Sequence, residues 1–317
     1  MKLFLAPLQG LTNYYYRNIY QDLFEGIDLY YAPFITTSTS FKIGQSAFKD
    51  ILPENNNNID IVVPQLLSND GEGFRKYAKI ISEMGYKEIN WNLGCPYPTV
   101  TKKKRGSGLL PYPDMIRKVL DEACKDTNYN LTVKMRLGLH DPEEGFEVME
   151  VLNDYPISGV MLHARIGKQK YEGTVDLDAF EEQYKICKHD MTYNGDIYSY
   201  EDYVKIQSRF PNIDKFMIGR GALMDPFLPS LIKNNGFYIP NEMDKIKELH
   251  DRVFSHYENV LSGEKHLLDR MKEFWTYLSV HIDPSGKFLK SIKKSKNKDT
   301  YLNIVNKVLN SSFNWRK

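Results

Sequence analysis

Residues 131–165 read LTVKMRLGLHDPEEGFEVMEVLNDYPISGVMLHAR. The first eight, LTVKMRLG (131–138), form a short β-type run that ends on glycine. Glu143 to Asn153 has helical periodicity, and GVMLHAR (159–165) is a second β-type run. Strand, helix and strand joined by short connections predict a parallel βαβ unit. The same alternation extends both ways along the chain. Further β-type runs are LFLAPL (3–8), DLYYAPFI (28–35), IDIVVPQLL (59–67), EINWNLG (88–94), MTYNGD (191–196) and KFMIGRG (215–221). Helical stretches are Tyr14 to Phe24, Gly73 to Met84, Asp114 to Lys125, Asp178 to Lys188 and Tyr200 to Phe210. Several strands are continuously apolar at their starts, as expected of parallel strands buried on both faces. Eight such units in about 225 residues predict an α/β fold, a (β/α)8 TIM barrel.

Near residue 235 the chain changes character. EMDKIKELHDRVFSHYENVL, HLLDRMKEFWTYLSVHI and TYLNIVNKVLN carry apolar residues at helical spacing, and Pro284-Ser285-Gly286 sets off a basic segment. The division expected is a catalytic barrel over 1–235 and a small C-terminal α-helical bundle domain over 236–317.

Composition narrows the partners. Of 317 residues, 42% are apolar, enough for a core, and the net charge of +1 favours no partner by itself. From His281 to Lys317, however, nine Lys/Arg face two Asp, a net +7 that leaves about −6 elsewhere. A basic end on a balanced body suggests a polyanion contact, against the plain alternative of a solvated helix face. Three cysteines, Cys95, Cys124 and Cys187, with no CxxC and no histidine at metal spacing, point away from a zinc site or disulfide framework. No metal is expected. An odd cysteine count and a start (MKLFLAPLQG) unlike a secretory signal fit a cytoplasmic location. No apolar window approaches membrane-spanning length, and no dimer signal is present, so a monomer without a membrane partner is expected. Asn55 to Asn58 reads as an exposed loop tip.

Polar residues gather where the strands end. Gln9, Gln65, Asn92, Cys95, Lys134, Arg136, His163, Arg165, Asn194, Asp196 and Arg220 all lie at or just after a strand's C-terminal end, the face that carries active sites in such barrels. Asn194-Gly195-Asp196 and Gly219-Arg220-Gly221 follow the seventh and eighth strands, where loops often bind phosphate. Gly71-Glu72-Gly73 lacks a third glycine at dinucleotide spacing, so a Rossmann site is set aside. Lys134 has two open readings, a Schiff-base nucleophile or a fixed cation beside a reduced flavin. Cys95, between Gly94 and Pro96 and seven residues before the cations Lys102, Lys103, Lys104 and Arg105, also has two: a general-acid thiol or a nucleophile. The plain alternative for a free cysteine is a small buried apolar residue.

Seven segments together carry a resemblance. APLQGLTN (6–13), PQLL (64–67), NLGCPYPTVTKKKRGSGLL (92–110), TVKMRLG (132–138), LHAR (162–165), NGD (194–196) and IGRGAL (218–223) resemble, in order, the tRNA-dihydrouridine synthase family. The most specific piece is Asn-x-Gly-Cys-Pro followed by Val100, Gly106 and Leu109-Leu110. The resemblance implies an FMN enzyme that reduces the uracil C5=C6 bond in tRNA, with NADPH reducing the flavin. By position, Pro7, Leu8 and Gln9 would line the flavin through backbone contacts, and Gln65 would bond its edge. Lys134 and His163 would sit at the ring and ribityl side, with Asn194, Gly195, Asp196, Gly219 and Arg220 at the phosphate end. Cys95 would give the proton to C5 after hydride reaches C6. Asn92 would help hold the flipped base, and Arg136 and the Lys102–Arg105 run would face the substrate. The basic, glycine-ended loop would close over substrate phosphates.

The chain departs from the family's pattern at Leu8, where Met is usual, at Gln9, where a small or acidic residue is usual, and at Asn90, where Asp is common. Three rivals remain in view: an FMN reductase of a free pyrimidine, a catalytically inactive tRNA-binding chaperone, and a Schiff-base aldolase using Lys134.

Overall fold

A computed structural model of the chain describes residues 1–38, 44–125, 128–237, 242–283 and 285–310. Among the described residues there are eight strands, each within a few residues of its expected place. They are β1 (Lys2–Leu5), β2 (Leu29–Tyr31, resuming at Ile35–Thr36), β3 (Val62–Val63, resuming at Gln65–Leu67) and β4 (Glu88–Leu93). Then come β5 (Asn130–Arg136), β6 (Gly159–His163), β7 (Met191–Asn194) and β8 (Lys215–Ile218). The gap in β3 falls at Pro64, which has no N–H to give a ladder.

Every pairing is parallel. Each strand pairs with the next, and β8 pairs with β1, so the ring closes into a TIM barrel. Among the described residues closure leaves no sheet edge.

The helices are α1 (Tyr14–Leu23), α2 (Gly71–Glu83), α3 (Pro98–Thr101), α4 (Pro113–Ala123), α5 (Glu143–Leu152), α6 (Leu177–Ile186) and α7 (Tyr200–Arg209). After β8 come α8 (Arg220–Met224), α9 (Leu228–Lys233), α10 (Glu242–Val260), α11 (Glu264–Ile282), α12 (Lys287–Lys294) and α13 (Lys298–Leu309). Caps set several starts: the Asp70 carboxylate accepts the Gly73 N–H at 2.7 Å, and Asn297 accepts that of Thr300 at 2.9 Å. Among the described residues between β2 and β3 there is no α-helix, only short 3-10 turns. The asparagine run there is not a uniform exposed tip. Asn56 is buried, its amide donating to the Leu52 carbonyl at 2.9 Å, while Asn57 and Asn58 are exposed.

The chain divides into two compact units. The first holds Met1–Tyr14, Ile27–Asp196 and Ile206–Ile218, which includes the whole barrel; the second holds Tyr15–Gly26, Ile197–Lys205 and everything from Gly219. In the barrel, Phe4, Tyr31, Val63, Met161 and Met217 form an apolar layer from five different strands. On β4 the alternation of EINWNL separates two sets. Ile89, Trp91 and Leu93 are fully buried on one side, and Trp91 packs edge-to-face on Phe74 of α2 at 6.0 Å. Glu88, Asn90 and Asn92 alternate with them on the other face.

Among the described residues, the second unit has four consecutive helices at its C-terminal end, α10 to α13, in keeping with the helical C-terminal region expected. Pro284 and residues 311–317 of the basic segment lie outside the described residues. The buried core of this unit includes Leu249, Leu268, Met271, Trp275, Leu278, Val305 and the fully buried Tyr301. The Tyr301 hydroxyl accepts from Trp275 Nε1 at 2.8 Å and is hydrogen-bonded to His250 Nε2, also at 2.8 Å. The other ring nitrogen, Nδ1, donates its N–H to the Asp251 carboxylate at 2.8 Å. Asp251 is thereby held ionised, its pKa lowered to about 2 by the His250 bond first and by Lys247 as well. Tyr301→Phe orphans two buried partners at once. The variant is expected to lose about 1–3 kcal/mol of stability, read as a lower urea midpoint; an unchanged midpoint would contradict the network.

Candidate active site

The residues singled out at strand ends divide between the two units. Within the barrel unit, Gln65, Asn92 and Cys95 are joined by one hydrogen-bonded network that starts deep in the barrel. Glu88 Oε1 accepts from the Tyr31 hydroxyl at 2.9 Å and from the Thr132 hydroxyl at 2.8 Å. Thr132 has one proton and has given it to Glu88, so its oxygen accepts from Asn90 Nδ2, at 2.9 Å. Asn90 Oδ1 is then free to accept from Gln65 Nε2 at 2.7 Å, and Gln65 Oε1 accepts from Asn92 Nδ2 at 2.6 Å. Asn92 Oδ1 is left facing the chain that follows β4, where it accepts the N–H groups of Gly94 at 3.0 Å and Cys95 at 2.9 Å. Each amide orientation dictates the next. Glu88 itself has a raised pKa, because burial outweighs the bonds from Thr132 and Tyr31.

Cys95 is thus fixed from below. It is 7% exposed. From the other side, the Ser107 N–H and hydroxyl both donate to the Cys95 carbonyl at 3.1 Å. The basic, glycine-ended loop expected after Cys95 has regular structure on both sides of it. The segment folds as helix α3, a turn, and a 3-10 helix at Gly106–Leu109. Gly106 has φ +57°, and a Cβ there would lie 2.6 Å from the Cys95 carbonyl oxygen. At Gly108 a Cβ would lie 2.5 Å from Thr101 Cα. These glycines allow close packing against Cys95 and Thr101, and the fully buried Leu109 and Leu110 anchor the segment.

Two cations share this end of the barrel. Lys134, half-buried on β5, donates to Asn194 Oδ1 at 2.8 Å, and Asn194 Nδ2 donates to the Met217 carbonyl at 2.8 Å. Lys134 is drawn down to a pKa of about 7, by burial first and then by the neighbouring Arg136. Arg136, buried, reaches the carbonyls of Gly94 at 3.0 Å and Ile166 at 2.9 Å. Its guanidinium lies 5.5 Å from the Tyr171 ring centroid, and His163 lies 6.4 Å from the same ring. Burial pushes the Cys95 thiol above its ordinary value of 9.0, against the opposing pull of the Tyr97 backbone N–H, Arg136 and Lys134.

The remaining residues have separate settings. Pro7, Leu8 and Gln9 follow β1 in a tight turn: the Leu8 N–H donates to Thr12 Oγ1 at 2.9 Å, and its carbonyl accepts from Leu11 and Thr12. Gln9 is exposed. Gly195 is required by its neighbour, since a Cβ there would lie 2.3 Å from the Tyr193 hydroxyl. Asp196 is bidentate to Arg165, with Oδ1 at 2.7 Å from Nη1 and Oδ2 bonded to Nη2. Arg165 is buried and also bonds the Gly173 carbonyl at 2.7 Å. Lys102, Lys103 and Lys104 are exposed and Arg105 half-buried, its Nε donating to Asn69 Oδ1 at 3.0 Å. In the second unit, Gly219 caps α8, and the Arg220 guanidinium lies 5.3 Å from the Tyr198 ring.

Three participants are not among the strand-end residues singled out from the sequence. Glu88 is signalled only by the alternation in EINWNL, and Thr132 by its place on β5 beside Asn90. Tyr171 had no motif to announce it. Among the described residues, no group of three His, Cys, Asp or Glu is placed to hold a metal, and no helix is long and apolar enough to cross a membrane.

Comparison with known proteins fits this geometry. Among solved structures, morphinone reductase in complex with tetrahydroNAD superposes with a TM-score of 0.52 at 10% identity, covering 77% of this chain and 90% of that one. Histamine dehydrogenase from Rhizobium sp. 4-9 gives 0.55 at 10% identity, covering 82% and 49%. At such identities the likeness is one of fold. In sequence, the tRNA-dihydrouridine synthase B of Pasteurella multocida is 28% identical over 265 residues, 78% of this chain and 77% of that one. A tRNA-dihydrouridine(16) synthase of Neisseria meningitidis is 26% identical over 315 residues, covering 96% and 94%. The family model for dihydrouridine synthase (Dus) matches residues 4–312, nearly the whole length, and the chain belongs to that family.

Proposed function

We propose that this protein reduces uridine in tRNA to 5,6-dihydrouridine, with Cys95 as the proton donor. The observation that carries the reading is the state of that thiol: fixed at the end of β4 on both sides and held protonated by burial. A protonated thiol is a general acid, whereas a nucleophilic cysteine needs a lowered pKa.

The residues present fit a flavin. Lys134 is bonded to an amide oxygen rather than a carboxylate, which leaves its charge available to an electron-rich ring. FMN, when bound and reduced by NADPH, supplies the hydride that uracil C6 requires. We assign Pro7, Leu8, Gln9, Gln65, Lys134 and His163 to the ring and ribityl part. Asn194, Gly195, Gly219 and Arg220 are assigned to the phosphate, with Asp196 acting by holding Arg165. Gln65, fully buried in this structure, has one Nε2–H and one Oε1 lone pair beyond the network, and these are assigned to the ring edge.

Cys95 delivers its proton to C5 from the face opposite the hydride, and the two hydrogens saturate the bond. Negative charge develops on the uracil as hydride arrives, and Lys134 and Arg136 keep the potential positive there. The remaining Nδ2–H of Asn92 meets the flipped base, and Lys102, Lys103, Lys104 and Arg105 face the substrate backbone. Extrusion of the base costs a few kcal/mol, less from a loop. Residues 236–317, with exposed lysines along α12, are proposed to engage the body of the tRNA.

Two outcomes are expected. Anaerobic protein, its flavin reduced with NADPH, recovers its visible flavin absorbance on addition of unmodified tRNA but not of free uridine or orotate. Recovery with a free pyrimidine alone would favour a metabolic reductase. In a Cys124→Ser/Cys187→Ser background, alkylation of Cys95 by iodoacetamide accelerates with pH around a midpoint above 9.0. Because the pKa is raised, the reactive thiolate is scarce at neutral pH; a midpoint well below that value would indicate a nucleophile instead.

A further inference from the structure

The chain has 22 tyrosines. Among the described residues, the exposed ones are Tyr97 (52%), Tyr112 (39%) and Tyr171 (38%). Single exposed aromatics are ordinary. These three, however, all follow the C-terminal ends of β4 and β6, and two flank the basic turn after Cys95. The turn is held in place. The Tyr97 carbonyl accepts the N–H groups of Val100 and Thr101 at 2.8 and 2.9 Å, starting α3. Asn69 donates to the Lys103 carbonyl at 3.0 Å and accepts from Arg105 at 3.0 Å, bracketing Lys104, whose φ of +50° is unusual for a lysine. The Lys104 ammonium then lies 4.0 Å from the Tyr112 ring centroid. Lys102 and Lys103 are exposed beside it.

Exposed tyrosine rings beside exposed ammonium groups match the chemistry of an unpaired nucleic-acid strand. Bases stack on the rings, and phosphates meet the cations. A folded protein partner would want a contiguous apolar patch, and a duplex hides its base faces.

We propose that Tyr97 and Tyr112, with Lys102, Lys103 and Lys104 between them, form a stacking platform for the unpaired nucleotides flanking the uridine presented to Cys95. This rests on the reading of the substrate as RNA and narrows it to a uridine in a single-stranded loop. The platform belongs to the barrel unit alone.

The test uses the flavin-loaded protein and a short unpaired RNA with one uridine beside a 2-aminopurine, whose fluorescence is quenched by stacking. Wild-type protein is expected to bind and quench. Tyr97→Leu/Tyr112→Leu is expected to bind about tenfold more weakly for each ring lost, and Tyr97→Phe/Tyr112→Phe to retain both binding and quenching. A leucine double variant that binds and quenches like wild type overturns the platform, as does a wild type that binds the matching duplex as tightly as the single strand. The same preparations are tested for tRNA-driven flavin reoxidation. Ring-dependent quenching without reoxidation would keep the platform and remove the uridine reductase reading. Reoxidation with no dependence of binding on the rings would remove the platform and keep that reading.

Discussion

The site depends on one amide. Asn92 Oδ1 accepts the two consecutive N–H groups of Gly94 and Cys95, and this fixes where the chain turns as it leaves β4. The amide can present its oxygen upward only because its nitrogen is bound to Gln65 below. Gln65 is oriented by Asn90, Asn90 by Thr132, and Thr132 by the buried Glu88. A flipped amide at any level would set two donors or two acceptors against each other, at a cost comparable to a lost buried hydrogen bond. The network therefore transmits orientation, from an acceptor deep in the barrel to the backbone of the cysteine. A polar interior also departs from the layered apolar filling usual in such barrels.

Electrostatics at the mouth follow from the same crowding. Lys134 and Arg136 lie two residues apart on β5, so they point the same way and each disfavours the other's charge. Arg136 stays protonated in any such setting, so the lysine yields, falling to a pKa of about 7. Cys95 is attracted toward ionisation by both cations, yet burial wins and its pKa rises. A thiol that keeps its proton next to Arg136 and Lys134 is suited to giving it away once negative charge appears on a substrate.

Much of the frame was legible in one dimension. Eight short β runs separated by helical periodicity specify a parallel barrel, because a strand buried on both faces and an amphipathic helix have different periods. Strand-end polar residues mark the site face for the same reason. Residues such as Asn92, Cys95, Lys134 and Arg136 do meet at that face. What was not legible was partnership. Nothing in the spacing of Asp196 and Arg165 says that one is bound to the other, and nothing in GSG says that the glycines are there to pack against Cys95 and Thr101. Such contacts are set by strand register and by loops folding back, which local pattern does not encode. The short helices α3, α8 and α9 escaped notice because fewer than two turns carry too little periodicity to read.

The central claim is that Cys95 gives the proton that completes reduction of a tRNA uridine. The most direct measurement compares wild type with Cys95→Ala, both loaded with flavin and reduced, by counting dihydrouridine in unmodified tRNA through nucleoside mass. The account predicts equal flavin content in the two proteins, abundant dihydrouridine with wild type, and most of it lost with the alanine variant. Equal dihydrouridine from both would contradict it and move the acid to another group at the barrel mouth.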